Sequence, residues 1–143
     1  MLGIGKVEIF STIIRNNGGY ALELQDGASA DISNTKMLSN HYGGTVVYTT
    51  NAASTTATMS DSIVSGGSIG VWAANASARG SARIFIARST VQNTTNALES
   101  SSTGGGNALV AVSSSMVTNN SLAWSQSGNG AVIESSGQAP VRR

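Results

Sequence analysis

Residues 84–99 read Ile84-Phe85-Ile86-Ala87-Arg88-Ser89-Thr90-Val91-Gln92-Asn93-Thr94-Thr95-Asn96-Ala97-Leu98-Glu99. Ile84 and Ile86 are separated by one residue, the period-two mark of a strand that buries one face. A Ser-Thr pair then precedes an apolar residue, Val91, and Asn93-Thr94-Thr95 favours a turn. Ala97–Glu99 begins a second short strand. The stretch is therefore strand, anchor, turn and strand, with no room for a helix.

The same unit recurs along the chain. Small polar residues, an apolar anchor and turn formers appear as Ser11–Asn17, Thr35–His41, Asp61–Gly67, Ser89–Thr95 and Ser114–Asn120. Their anchors, Ile13, Met37, Ile63, Val91 and Met116, recur at intervals of roughly 25 residues, within the range of solenoid repeats. Alternating stretches precede the anchors, such as Val7 and Ile9, or Val110 and Val112. A second strand follows each turn: Ala21–Leu24, Val46–Tyr48, Ile69–Trp72, Ala97–Glu99 and Leu122–Trp124. A repeat of this length that cannot bury its own apolar face is one coil of a solenoid. Coils are expected over 7–29, 30–55, 56–81, 82–106 and 107–130, with a partial coil over 131–136 and a tail over 137–143, all in one domain spanning 1–143. At ~4.8 Å per coil the stack stands roughly 25 Å tall. Asn16, Asn40 and Asn119, with Gly66 and Thr94 between them, are expected to share one turn column.

Composition agrees with this organisation. Ser, Gly, Thr and Asn fill 65 of 143 positions, and only 10% of residues are charged. Leu, Ile, Val and Phe number 30, so the core is thin and backbone pairing must supply much of the order. A net charge of +1 gives no footprint for a phosphate backbone, so nucleic acid is not an expected partner. Cysteine is absent, which removes disulfides and thiolate metal sites. No apolar run approaches the length that a membrane-spanning helix needs, so no such helix is expected. The opening MLGIGKVEIF lacks the basic and apolar regions of a secretory signal, so none is expected there.

Phrases such as Ala30-Asp31-Ile32-Ser33-Asn34-Thr35 and Met37-Leu38-Ser39-Asn40, repeated at this period, resemble the right-handed parallel β-helix of the pectin-lyase-like superfamily. The resemblance covers residues 7 to about 136. It implies an all-β, right-handed parallel β-helix of five to six coils, and an extracellular or surface-associated setting. It says little about activity, because the superfamily hosts unrelated functions.

The informative column lies on the second strand. Glu23, Tyr48, Trp72, Glu99 and Trp124 recur at nearly the stride of the anchors and are expected to stack. A glutamate cannot sit unpaired in a thin core, so the column faces outward. Three aromatic rings and two carboxylates on one face suit polysaccharide, since rings stack on the apolar faces of sugars and carboxylates accept from hydroxyls. The same strip suits a homo-oligomer interface, as do open coil ends. Glu23 and Glu99 are three coils apart, roughly 14 Å, beyond the about 5 to 9.5 Å of a glycosidase pair. A lyase or epimerase reading would rest on Asp61 and Arg88, which by themselves resemble a surface ion pair. His41 is the only histidine and sits in a turn, so neither metal nor cofactor is expected. The expectation is a non-catalytic recognition or structural module. Its alternatives are a lyase or epimerase-like enzyme, and an adhesin, passenger or tailspike-like oligomeric segment.

Overall fold

The structure, a computed structural model, describes residues 5–137. The first coil holds β1 (Lys6–Phe10), β2 (Ile13–Arg15) and β3 (Tyr20–Gln25). The second holds β4 (Ser29–Ser33), β5 (Lys36–Leu38) and β6 (Gly43–Thr49), and the third β7 (Ser54–Ser60), β8 (Ile63–Ser65) and β9 (Ile69–Asn75). The fourth holds β10 (Ser81–Ala87), β11 (Thr90–Gln92) and β12 (Asn96–Ser102). The fifth holds β13 (Asn107–Ser113), β14 (Met116–Thr118) and β15 (Leu122–Ser127), and β16 (Ala131–Ser136) begins a sixth. Equivalent strands pair in parallel. They form a first sheet β1-β4-β7-β10-β13-β16, a second β2-β5-β8-β11-β14 and a third β3-β6-β9-β12-β15. This is a right-handed parallel β-helix of about five coils. None of the described residues forms a helix long and apolar enough to cross a membrane. The tail expected over 137–143 falls mainly on 138–143, outside the described residues.

The core is a set of axial columns. In the first sheet Ile32, Met59, Ile86 and Val112 stack, beside Ala30, Ala57, Ile84 and Val110, and all eight are buried. In the second sheet the stacked residues are Ile14, Met37, Val64, Val91 and Val117. This corrects three of the five anchors. Ile13 and Met116 point outward, 60% and 51% exposed, and Ile63 pairs in their column with Lys36 and Thr90. Each of these three coils carries two adjacent apolar residues, and a strand can bury only one of them. The coils with Lys36 or Thr90 at the outer position settle the parity. Replacing Val117 with Ala is expected to cost about 1.5–3 kcal/mol, and Met116→Ser less than about 0.5 kcal/mol, read from urea midpoints. The opposite ranking would place Met116 in the core instead.

Two corners bound each three-residue strand. Ser11, Asn34, Asp61, Arg88 and Ser114 enter it with left-handed backbones, φ between 46° and 49°. The next residue in the chain is always a hydroxyl: Thr12, Thr35, Ser62, Ser89 or Ser115. Each hydroxyl donates to the carbonyl two residues earlier, as Ser62 does to Ser60 at 2.7 Å and Ser89 to Ala87 at 2.8 Å. Each of the last three also accepts from the neighbouring coil: Thr35 N–H donates to Ser62, Ser62 N–H to Ser89 and Ser89 N–H to Ser115, at 3.0–3.1 Å. The ladder satisfies corner amides that no strand partner reaches.

The exit corner holds the asparagine column. Asn40 and Thr94 belong to it as the spacing suggests, but Asn17 and Asn120 stand where Asn16 and Asn119 were expected. Asn40, 1% exposed, accepts at Oδ1 from the Asn17 amide and side chain and donates to the Ile14 carbonyl. Asn120 repeats this with Thr94 and Val91. Asn16, Gly66 and Asn119 occupy outer left-handed positions, with φ of 56°, 79° and 55°, so Gly66 also lies outside the column it was expected to share. Among the described residues no buried side-chain nitrogen or oxygen lacks a partner.

Candidate functional site

The third sheet bends at its start, where two successive residues in β6, β9 and β12 turn inward. Ala97 and Leu98 are both buried. A Cβ added at Gly70 would meet the Val91 side chain, and one at Gly44 would meet Val64, so these two positions also face the core. Beyond the bend, Glu23, Val46, Trp72, Glu99 and Ser125 form one column. Glu23, Trp72 and Glu99 therefore do share a column. Tyr48 lies in another column, paired with Gln25 and Ala74. Trp124 pairs with Leu98, one residue earlier, at a position that faces inward in the neighbouring coils. It is 45% exposed and lines a recess of about 410 Å³ with Gln126 and Ile133. The expected five-residue strip thus divides into one column, a neighbour and a coil-end residue. The cause is an uneven stride, since Val46 follows Glu23 more closely along the chain than Glu99 follows Trp72.

The structure adds two tyrosines and a histidine that the column reading did not include. Tyr20 opens β3, and Tyr42 occupies the turn before β6. The Tyr20 ring centroid lies 5.8 Å from Tyr42 and 6.4 Å from Trp72, with the planes tilted at 48° and 43°. His41 extends the cluster, 5.0 Å from Tyr42. These separations are those of favourable aromatic pairs. Trp72 Nε1 donates to Ser101 Oγ at 2.9 Å, which fixes the indole against the neighbouring coil. In the same column as Trp72, Val46 is buried, 3% exposed, yet it is not part of the interior cluster. An outward valine is covered here by outer side chains. Gly43 permits the close approach of β6 and β9, since a Cβ there would lie 1.6 Å from the Ile69 carbonyl oxygen. The sequence signal for the added tyrosines was weak, because both stand at a strand start or in a turn, outside the alternating runs.

The carboxylates flank the rings. Glu23 accepts from Gln25, and Glu99 from Asn96 at 3.2 Å. Burial, then Glu99 and then Glu23, hold the Tyr20 hydroxyl above the usual tyrosine range, so both charges act on one ring. Two aspartates elsewhere pair with cations. Asp61 and Arg88 form a bidentate pair at 2.8 Å across successive corners, and Asp31 bonds Lys6 at 2.7 Å. The hydrogen bond from Arg88 holds the Asp61 carboxyl below the usual range, and that from Lys6 does the same for Asp31. The two residues of the lyase reading are therefore bonded to each other on an exposed corner. Among the described residues no three His, Cys, Asp or Glu side chains are grouped to hold a metal ion. The chain matches no protein-family model, and no curated protein or solved structure matches it.

Proposed function

We propose that this solenoid is a surface-recognition module and that the outer face of its third sheet binds glycans. The observation that carries the reading is the cluster of Tyr20, Tyr42 and Trp72 beside a buried Val46, in a chain whose polar surface is mostly Ser, Thr and Asn. Tilted, partly exposed rings offer flat apolar area to sugar faces, while Glu99, Asn96 and Gln25 offer polar atoms to hydroxyls. The parallel stack holds most of these groups on strands rather than loops, so little ordering accompanies binding. Tryptophan emission of a Trp124→Phe protein, which leaves Trp72 as the only indole, is expected to shift when polysaccharide is added. Tyr20→Ala is expected to weaken binding tenfold or more by calorimetry, about 1.4 kcal/mol. If no neutral, acidic or basic polysaccharide moves the Trp72 emission, the reading falls.

A second reading draws support from the recess around Trp124, Gln126 and Ile133. A recess lined by an exposed indole suits pairing with a second copy, as in a tailspike-like or adhesin segment. Light scattering over a range of concentrations separates the two readings. Self-association weakened by Trp124→Ser favours the second, and a monomer that binds glycan favours the first.

A further inference from the structure

The charge on the third sheet is one-sided. Its five strands, β3, β6, β9, β12 and β15, contain no Lys or Arg, and their ionised side chains are Glu23 and Glu99. The described cations Lys6, Arg15, Lys36 and Arg83 lie in strands of the other two sheets, and Arg79 and Arg88 lie in turns. Aromatic ring faces carry a negative partial charge that attracts a cation within about 6 Å of the centroid. Three such rings here stand beside two carboxylates that share a register column. Burial first, then Glu99 and Glu23, hold the Tyr20 hydroxyl above the usual tyrosine range, so both carboxylates act on that ring.

We propose that the ligand of this face is an amine-bearing glycan, a chain of hexosamine units with free, protonated amino groups. Its sugar rings stack on Tyr20, Tyr42 and Trp72, and its ammonium groups donate charge-assisted hydrogen bonds to Glu99 and Glu23. This rests on the glycan reading of the same face and adds the charge class of the ligand. An ammonium gains from ring faces and carboxylates together, with N–H···O⁻ bonds roughly twice as strong as neutral ones. A uronate chain would instead set its carboxylates against Glu23 and Glu99, with no basic side chain on these strands to receive them. An N-acetylated chain keeps the stacking and loses the charge.

Calorimetry with three soluble probes tests this: the hexamer of glucosamine, the hexamer of N-acetylglucosamine and the hexamer of galacturonate, in a low-salt buffer that keeps the amines protonated. The glucosamine hexamer is expected to bind at least tenfold more tightly than the acetylated one, and the galacturonate hexamer not to bind. Added salt narrows the first ratio, because exposed charge pairs are screened. Glu99→Gln keeps the shape and an acceptor for Asn96, and should cut the ratio at least threefold. Circular dichroism of this variant checks that it folds. Equal binding of the first two hexamers, or binding of galacturonate, overturns the amine preference and leaves the glycan reading intact. Absence of binding by every hexamer overturns both, and binding of polylysine in that case points to a cationic peptide. Loss of all binding in Tyr20→Ala, with the preference reduced in Glu99→Gln, supports both.

Discussion

Gly43→Ala is expected to destabilise the protein by roughly 3 kcal/mol or more, a large share of the margin of a thin-cored domain. The Cβ would sit 1.6 Å from the Ile69 carbonyl oxygen and 2.7 Å from its carbon. Both obstacles are backbone, so no rotamer change relieves the clash. Gly43 is also at φ +146°, where side-chain-bearing residues are strained, and it pairs with Tyr20 on one side and Ile69 on the other. Relief requires β6 and β9 to separate. Gly19 provides the contrast, because nothing lies within 4 Å of a Cβ built there. Gly19→Ala should stay within about 0.5 kcal/mol of the parent. Urea denaturation measures both, and a Gly43→Ala midpoint equal to the parent's would contradict the close approach of these strands. Because Gly43 is the strand partner of Tyr20, any folded remnant of this variant should also lose glycan binding.

The second large effect is expected at Asn40. Its side chain makes three hydrogen bonds from a buried position: two received from Asn17, at 3.2 and 2.8 Å, and one given to Ile14, at 3.1 Å. Asn40→Ala removes all three and takes a partner from two backbone groups and the Asn17 amide. A cost of about 2–4 kcal/mol follows, or a fall in Tm on the order of 10 °C for a chain of this size. Asn16 lies one coil away on the outer side of the same corner, with a left-handed backbone that glycine adopts freely. Asn16→Gly should therefore leave Tm within a few degrees of the parent. Equal losses for the two variants would return Asn16 to the internal column.

The contrast between Asn16 and Asn40 also marks how far the sequence could be read. Parallel coils, the alternation of Ile84 and Ile86 and the presence of the turns were legible, because period-two burial and turn chemistry are local properties, whereas which turn residue points inward was not. Parity within the three-residue strands was not. Ile13-Ile14, Ile63-Val64 and Met116-Val117 offer two apolar residues for one buried position, and the hydroxyl residue at each entry corner carries the missing phase. The functional face was partly legible. Glu23, Trp72 and Glu99 keep a common column, whereas Tyr48 and Trp124 do not, since turn length varies from coil to coil and a fixed stride accumulates the difference. Tyr20 and Tyr42 were hidden for another reason: what draws them to Trp72 is contact between coils, which leaves no periodic trace in the chain.

The Ser and Thr ladder at the entry corner has a consequence for how such a chain can change in length. Each rung from Thr35 to Ser89 gives its N–H to the hydroxyl of the next coil, and each hydroxyl in turn bonds a carbonyl of its own coil. Every rung therefore offers the same acceptor to the coil that stacks against it. A coil can then be duplicated or deleted between two rungs without orphaning a polar group of this corner, provided the incoming residue carries a hydroxyl. The corner acts as a joint of standard gauge. Growth by whole turns becomes an easy route to diversity, and the outer faces are left to vary in what they recognise.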